Sequence, residues 1–592
     1  MSNERGIKVR FVPLVNTLRN YRRENIAGDV IAGLIVTIML VPQAMAYAML
    51  AGLPPQVGLY ASILPLILYA LFGTSNTLAV GPVAMVSLLV VTGVGAIAPT
   101  GSSEFIALCL VLALLAGLIK VLMALFRLGF LVNFISHPVL GGFTTAAALV
   151  IGFSQLKHVL GVSAKGSEYP LITIWNLIQK VPESNWMPIV IGVVGCAFLV
   201  LFPRLIRQVG SMLKVEFSAF TVLGKTAPLL LVVITAVVVS ILGLNETYSL
   251  AIVGEIPKGL PQLTVPNLDW NSLTRLFPLA LVITVVGYLE SISVAKALAT
   301  RRRETVDANQ ELFALGAADI GAAFTGGYPV TGGFSRSLVN FAAGAQTPVA
   351  SIITAFLVAV SVALLTPYFN YIPQATLAAI ILVAVAGLVD FKTPFVLWRY
   401  SRHDAWAFTV TFFAVLGIGI ENGILVGIVT TMALMMWRIS RPHIAEIAKV
   451  KGLDIYRNVL RHETETNDEL FAFRVDASLT FANSHFVEQF VRDAVARKKN
   501  LKVVVLSCSG MNDIDSTGLE TLESIERDLH LLGIEFRLSD VKGPVLDRLQ
   551  RAGVKGAIAP ENVYRTTDQA MPNDDELANV DESPSAESVL VK

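Results

Sequence analysis

Charge is scarce in this chain. Asp, Glu, Lys and Arg make up 15% of its 592 residues, against about a quarter in a soluble protein. The mean hydropathy is +0.66, so most of the chain cannot be ordinary soluble sequence. Cysteine is scarcer still. Cys109, Cys196 and Cys508 lie far apart with no CxxC spacing, so neither a disulfide framework nor a metal site is expected. No H-E-x-x-H, Walker loop, G-x-S-x-G or dinucleotide fingerprint occurs in a convincing context. That argues against ATP-driven transport and against a membrane enzyme, and no cofactor is expected. The net charge of +1 says little about partners, and no nucleic acid is expected. The basic stretch to Arg23 is too long and polar for a signal peptide, and no small-residue cleavage site follows it.

Long apolar runs are what the chain has instead. GDVIAGLIVTIML, FIALCLVLALLAGLIKVLMAL and APLLLVVITAVVVSILGL approach the roughly 20 residues that cross a bilayer. About fourteen helical spans are expected, beginning near Val30, Val57, Pro82, Phe105, Asn133, Met187, Ala227, Leu276, Gln310, Gly333, Pro348, Gln374, Ala405 and Asn422. The fold class is therefore a polytopic α-helical membrane protein with a C-terminal α/β domain. The expected divisions are an N-terminal cytoplasmic segment 1–29, a transmembrane domain 30–438, a linker 439–466, the α/β domain 467–570 and a disordered acidic tail 571–592. Basic clusters at Arg19/Arg22/Arg23, Arg204/Arg207/Lys214/Lys225, Arg301–Arg303, Lys392/Arg399/Arg402 and Arg438/Arg441 all fall on one side of an even number of spans. The positive-inside rule makes that side, and both termini, cytoplasmic. A multi-pass protein of the cell (inner or plasma) membrane is expected, with the lipid bilayer as its solvent.

Two short spans each follow a Gly/Pro break: GPVAMVSLLVV (81–91) and GGFSRSLVNF (332–341). Each is third in a set of seven. The stretches before them, LYASILPLILYALFGTSNTLAVGP (59–82) and LFALGAADIGAAFTGGYPVTGG (312–333), match loosely. Seven spans invert the second copy, which suggests a seven-plus-seven inverted repeat with paired, interrupted segments at its binding site. A helix that begins at mid-membrane leaves its first N–H groups unpaired and carries partial positive charge there. Two such ends facing each other make an anion site. Arg336 adds a full charge and several donors, and Ser335 adds a hydroxyl. Arg336 could instead be paired structurally or snorkel to the interface. Glu290, late in span eight, is positioned to exchange a proton during transport or to form a static ion pair with Arg336. Gln43 and Tyr47 in VPQAMAYAMLAGLPP (41–55) share a helix face, for a cavity or for packing, and Pro42 should disturb that helix. Lys120 and Arg127 read as snorkelling, Lys296 as reaching the cytoplasmic edge, and Gln155 and Asp319 as buried hydrogen-bonding groups.

The C-terminal part alternates strand and helix. Strands are expected at 469–476, 501–510 and 534–541, and helices at 485–499, 511–533 and 542–553, with Asp515 or Ser516 as an N-cap.

Over nearly its full length the chain resembles the sulfate permease (SulP) family of anion transporters. VPQAMAYAMLAGLPPQVGLYAS, GPVAMVSLL, GGYPVTGGFSRSLVNFAAGAQT and IPQATLAAIILVAVAGLVD look like family signatures. VVVLSCSGMNDIDSTGLETL resembles a STAS domain, the module of bacterial anti-sigma-factor antagonists. The resemblance implies core and gate subdomains, a homodimer, and a substrate site between the N-termini of spans three and ten. By motif position Gln43, Tyr47, Val83, Ala84, Ser335 and Arg336 would line it. Glu290 takes the place of the coupling-ion carboxylate. Sodium-coupled bicarbonate members carry an aspartate there and a hydroxyl one turn later, where this chain has Val294. The glutamate without that ligand looks more like proton-coupled members, including plant sulfate transporters. Proton-coupled sulfate symport by alternating access is therefore the expectation. Bicarbonate or dicarboxylate transport on the same fold, or an uncoupled exchanger or channel, are the alternatives. Ser516 or Thr517 matches the region phosphorylated in the soluble relatives, and the STAS domain could have a cytosolic partner.

Overall fold

The structure, a computed structural model, describes residues 12–130, 136–163, 169–212, 224, 226–255, 259–453, 455–552 and 560–573. The expected span start at Asn133, the basic residues Lys214 and Lys225, and the tail beyond 573 lie outside the described residues. The chain divides into two compact units, Met1–Thr431 and Met432–Lys592.

The helices of the membrane part are, in order, Arg23–Leu50 (span one), Pro55–Phe72 in two pieces (two), Ala84–Gly95 (three), Ser103–Leu125 (four), His137–Leu160 (five), Trp186–Met212 (six), Ala227–Leu242 (seven), Trp270–Arg302 (eight), Ala308–Phe324 (nine), Phe334–Ala342 (ten), Val349–Leu364 (eleven), Gln374–Ala386 (twelve), Arg402–Ile418 (thirteen) and Ile420–Ser440 (fourteen). Every expected span has its helix. Seven are long and apolar enough to cross a membrane, and spans three and ten are indeed short. Spans four, eight, nine and thirteen start after side-chain caps: Ser102, Asp269, Asp307 and Ser401 accept from backbone N–H groups two or three residues on. Further helices, among them Pro13–Arg19, Pro170–Lys180 and Lys392–Tyr400, were not expected. Pro42 does not break span one, whose helix runs through it.

The two interrupted segments meet. Strand β1 (Val80–Gly81) leads into span three and β2 (Thr331–Gly332) into span ten, and they pair antiparallel, Val80 with Gly332 and Gly81 with Thr331. Corresponding segments of the two halves thus cross each other directly, as an inverted repeat requires. Span nine packs along span four, where Gly117 and Gly316 face each other. A Cβ on either would lie 2.8 Å from the other's carbonyl oxygen, so only glycines allow this approach.

The second unit builds a sheet in the order β4-β3-β6-β7-β8-β9, with β5 also on β3. β6 (Leu470–Val475), β7 (Val503–Ser507), β8 (Glu535–Ser539) and β9 (Val563–Tyr564) run parallel. The helices Ser484–Arg497, Ser516–Leu531 and Gly543–Arg551 alternate with them, as crossover connections demand. The segment 439–466, expected as a linker, instead contributes β3 (Ile444–Val450), β4 (Tyr456–Asn458) and β5 (Thr464–Glu465). β3 pairs antiparallel with β6. β3 buries Ala445 and Ile447 on one face, but its sequence IAEIAKV does not alternate strictly between apolar and polar residues.

Candidate anion site at the crossing of the half-helices

The site is built where β1 and β2 hand over to spans three and ten. Arg336 lies in the first turn of span ten and is 2% exposed. Its Nη1 donates to the Pro82 carbonyl at 2.6 Å. The rest of the guanidinium lies against glycine backbone, because a Cβ on Gly333 would come within 3.0 Å of Nη2. Nε and Nη2 are buried and have no partner among the described residues. A buried cation with open donors is costly unless something anionic answers it.

The surrounding polar groups hold the backbone in place. Ser337 Oγ accepts from Ala79 N–H at 2.9 Å and Gly333 N–H donates to Ala79 O at 3.1 Å. Asn340 Nδ2 donates to Thr77 O at 3.0 Å. On span eight, Ser291 Oγ accepts from Gly332 N–H at 2.8 Å and shares a 2.5 Å hydrogen bond with Thr331 Oγ1. Tyr328, fully buried, shares a 2.9 Å hydrogen bond with Ser87 of span three. Each half-helix is therefore tied to the other repeat.

Val83 caps span three and Ala84 is its first residue. Both are buried, as are Gln43 and Tyr47 on span one. Tyr47, Glu290 and Tyr328 are each near enough to Arg336 to act on it electrostatically. Glu290 is half-buried and its Oε2 has no hydrogen-bond partner among the described residues. Glu290 and Arg336 form no ion pair among the described residues, so the static pairing weighed from the sequence is absent. Ser335 is exposed, turned from Arg336 by one helical step. Ser516 and Thr517 belong to the second unit and are exposed at the start of the helix that Asp515 caps through Gly518 N–H at 2.8 Å.

Lys120 does not snorkel. It is fully buried and ion-paired to Asp319 of span nine. A lysine near the end of an apolar helix reads as snorkelling, and its partner is 199 positions away. Sequence reasoning also passed over Glu311, buried on span nine, which accepts from Tyr69 OH, Thr74 N–H and Ser75 N–H at 2.6, 2.7 and 3.1 Å. The rule that intramembrane charges seek partners could have drawn attention to both. Gln155 and Asp319 are buried with hydrogen bonds, as expected, and Arg127 and Lys296 are exposed.

The sequence model of the sulfate permease family matches residues 26–411. The chain belongs to that family. A STAS domain matches residues 461–570. The chain is similar to Sulfate transporter 4.1, chloroplastic, of Arabidopsis thaliana, 38% identical over 562 residues that cover 93% of this chain and 80% of that one. It is 30% identical to Low affinity sulfate transporter 3 of Stylosanthes hamata, covering 94% of this chain and 89% of that one. Among solved structures, the murine Solute Carrier 26 family member A9 anion transporter in its inward-facing state superposes with a TM-score of 0.87 at 22% identity, over 98% of this chain and 97% of that one. The fold is therefore that of the family: a multi-pass helical membrane domain followed by a STAS domain.

Proposed function

We propose that this protein is a secondary active transporter that carries sulfate with protons by alternating access, with Arg336 as anion ligand and Glu290 as proton site. The observation that carries this reading is the buried Arg336 guanidinium with Nε and Nη2 unpaired at the meeting point of two half-helix N-termini. Each N-terminus contributes about half a positive charge. Together with Arg336 they offer about +2, the complement of a sulfate dianion. An ionised Glu290 would subtract one charge, so sulfate in the site and a proton on Glu290 favour each other. That mutual preference is the coupling. The plant relatives' names support sulfate as the anion. The absence of a hydroxyl at Val294 supports protons over sodium. The same reading places the chain in the cell membrane with both termini cytoplasmic, as a homodimer, with Gln43, Tyr47, Val83, Ala84 and Ser335 completing the lining. Ser516 or Thr517 remains the candidate regulatory position of the STAS domain.

The test is labelled-sulfate uptake into proteoliposomes with and without an inward proton gradient. Wild type is expected to accumulate sulfate in response to the gradient. Glu290→Gln should lose the response to the gradient. Arg336→Ala should weaken sulfate uptake about 10- to 100-fold, since hydrogen bonds to a charged group are worth about 1.5–3 kcal/mol each. No sulfate uptake by wild type under any gradient would overturn the sulfate reading and move the search to bicarbonate and dicarboxylates. Gradient-driven uptake that survives in Glu290→Gln would remove Glu290 from the coupling.

A further inference from the structure

Neither Lys120 nor Asp319 touches the proposed anion site, yet both are buried completely. A buried ion pair is weak evidence for stability, because taking two charges out of water offsets most of their attraction. What this pair holds is more informative. Asp319 Oδ2 meets the Lys120 ammonium, and Oδ1 accepts from the backbone N–H of Val330 at 2.8 Å. Val330 is 1% exposed and precedes β2. The run that delivers Arg336 thus has three separate backbone anchors: Val330 N–H on Asp319 of span nine, Gly332 N–H on Ser291 of span eight, and Gly333 N–H on Ala79 beside β1. The acceptor at Val330 alone is a carboxylate.

The local geometry is specific to this arrangement. Gly117 and Lys120 are three apart on span four, and Gly316 and Asp319 are three apart on span nine. The facing glycines bring the two backbones together, and the charged pair lies one turn further along each helix. Span nine also ties the other interrupted segment, through Glu311 and the N–H groups of Thr74 and Ser75. One helix therefore anchors the approach to both half-helices.

We infer that Asp319, held by Lys120, is a positioning residue for the anion site: its second oxygen fixes the 326–333 segment and through it the place of Arg336. This rests on the reading of Arg336 as the anion ligand. Lys120 holds the carboxylate in place, and the carboxylate satisfies an N–H that would otherwise be buried without an acceptor.

The test compares two charge-balanced full-length variants, Lys120→Met/Asp319→Asn and Lys120→Met/Asp319→Leu. Asparagine keeps an oxygen for Val330 N–H and leucine does not. Two readouts are taken in proteoliposomes: the KM and maximal rate of sulfate uptake, and hydrogen exchange of peptides covering 326–336. The leucine variant should raise the sulfate KM about tenfold, the cost of one unsatisfied buried donor, at little change in maximal rate, with faster exchange confined to that segment. The asparagine variant should rescue both. A leucine variant with wild-type KM, or with unchanged exchange, overturns the inference. Should the leucine variant fail to reach the membrane, Lys120→Met/Asp319→Ala makes the same comparison with less bulk. Absence of sulfate uptake by wild type would defeat the sulfate reading instead, and the exchange difference would then decide this one by itself.

Discussion

Gly333 gives the Arg336 guanidinium a bare backbone to lie on. Its φ of −84° suits any residue, so the demand for glycine is steric. A methyl there would sit 3.0 Å from Nη2 and 3.1 Å from Cζ, and the guanidinium would have to leave the Pro82 carbonyl. Gly333→Ala is expected to raise the sulfate KM about tenfold, the size of one lost hydrogen bond to a charged group, with the amount of protein in the membrane unchanged. Uptake kinetics check it, and a wild-type KM would show that the guanidinium can move aside without cost. Arg336 and Glu290 were legible in the sequence because each interrupts an apolar run, and a charge in hydrocarbon needs a reason. Lys120 was misread for a physical reason: length lets a lysine snorkel, and nothing local in FIALCLVLALLAGLIKVLMAL reveals a carboxylate on a helix far along the chain. Glu311 and Tyr328 were missed similarly, since their partners Thr74 and Ser87 belong to the other repeat.

At the level of elements, the broken segments were legible because glycine and proline mark them, and the β1–β2 crossing was implied by their matching positions. The ties between turns were not. Asp29 is fully buried near the start of span one, and its Oδ1 accepts from the N–H groups of Gln346 and Thr347 at 2.7 and 3.0 Å. Its Oδ2 accepts from Thr347 Oγ1 at 2.6 Å and Tyr21 OH at 2.9 Å. The turn between spans ten and eleven is thereby fastened to span one. Asp29→Ala strands two backbone donors, one of them, on Thr347, in a buried residue. It is expected to destabilise the membrane part by about 1–3 kcal/mol, the cost of the one stranded donor in a buried residue. Asp29→Asn, which keeps one acceptor oxygen, should cost less. Thermal unfolding of the purified protein measures the difference, and equal melting of Asp29→Ala and wild type would show that the turn is held elsewhere. β4 and β5 escaped the sequence because they have only three and two residues, too few for a period to register.

The whole molecule carries separate reporters for its two units. Five of the six tryptophans (Trp175, Trp186, Trp270, Trp398 and Trp406) lie in the first unit and Trp437 lies just inside the second, on the helix Ile420–Ser440, so in a Trp437→Phe background tryptophan fluorescence follows the first unit and not the STAS sheet. Cys508, in contrast, is 1% exposed inside the STAS core with Phe473, Leu506 and Met511. Burial, reinforced by Asp540, pushes its thiol up to about 12. The thiolate is the reactive form, so Cys508 stays unreactive at neutral pH while that core is closed, and gains reactivity only through a pH near 12 or by unfolding. In a Cys109→Ala/Cys196→Ala background, labelling of Cys508 on heating therefore times the opening of the STAS core. Phe473 is fully buried beside Phe471 and Phe490, and Phe473→Ala should cost about 3–5 kcal/mol. At about 2–4 °C per kcal/mol for a unit of this size, Cys508 should label at least about 6 °C earlier. The tryptophan transition is expected to stay where it was, because the division at Thr431/Met432 gives each unit its own core. If both transitions fall together, the two units unfold as one cooperative body and the separation of cores does not carry over into stability.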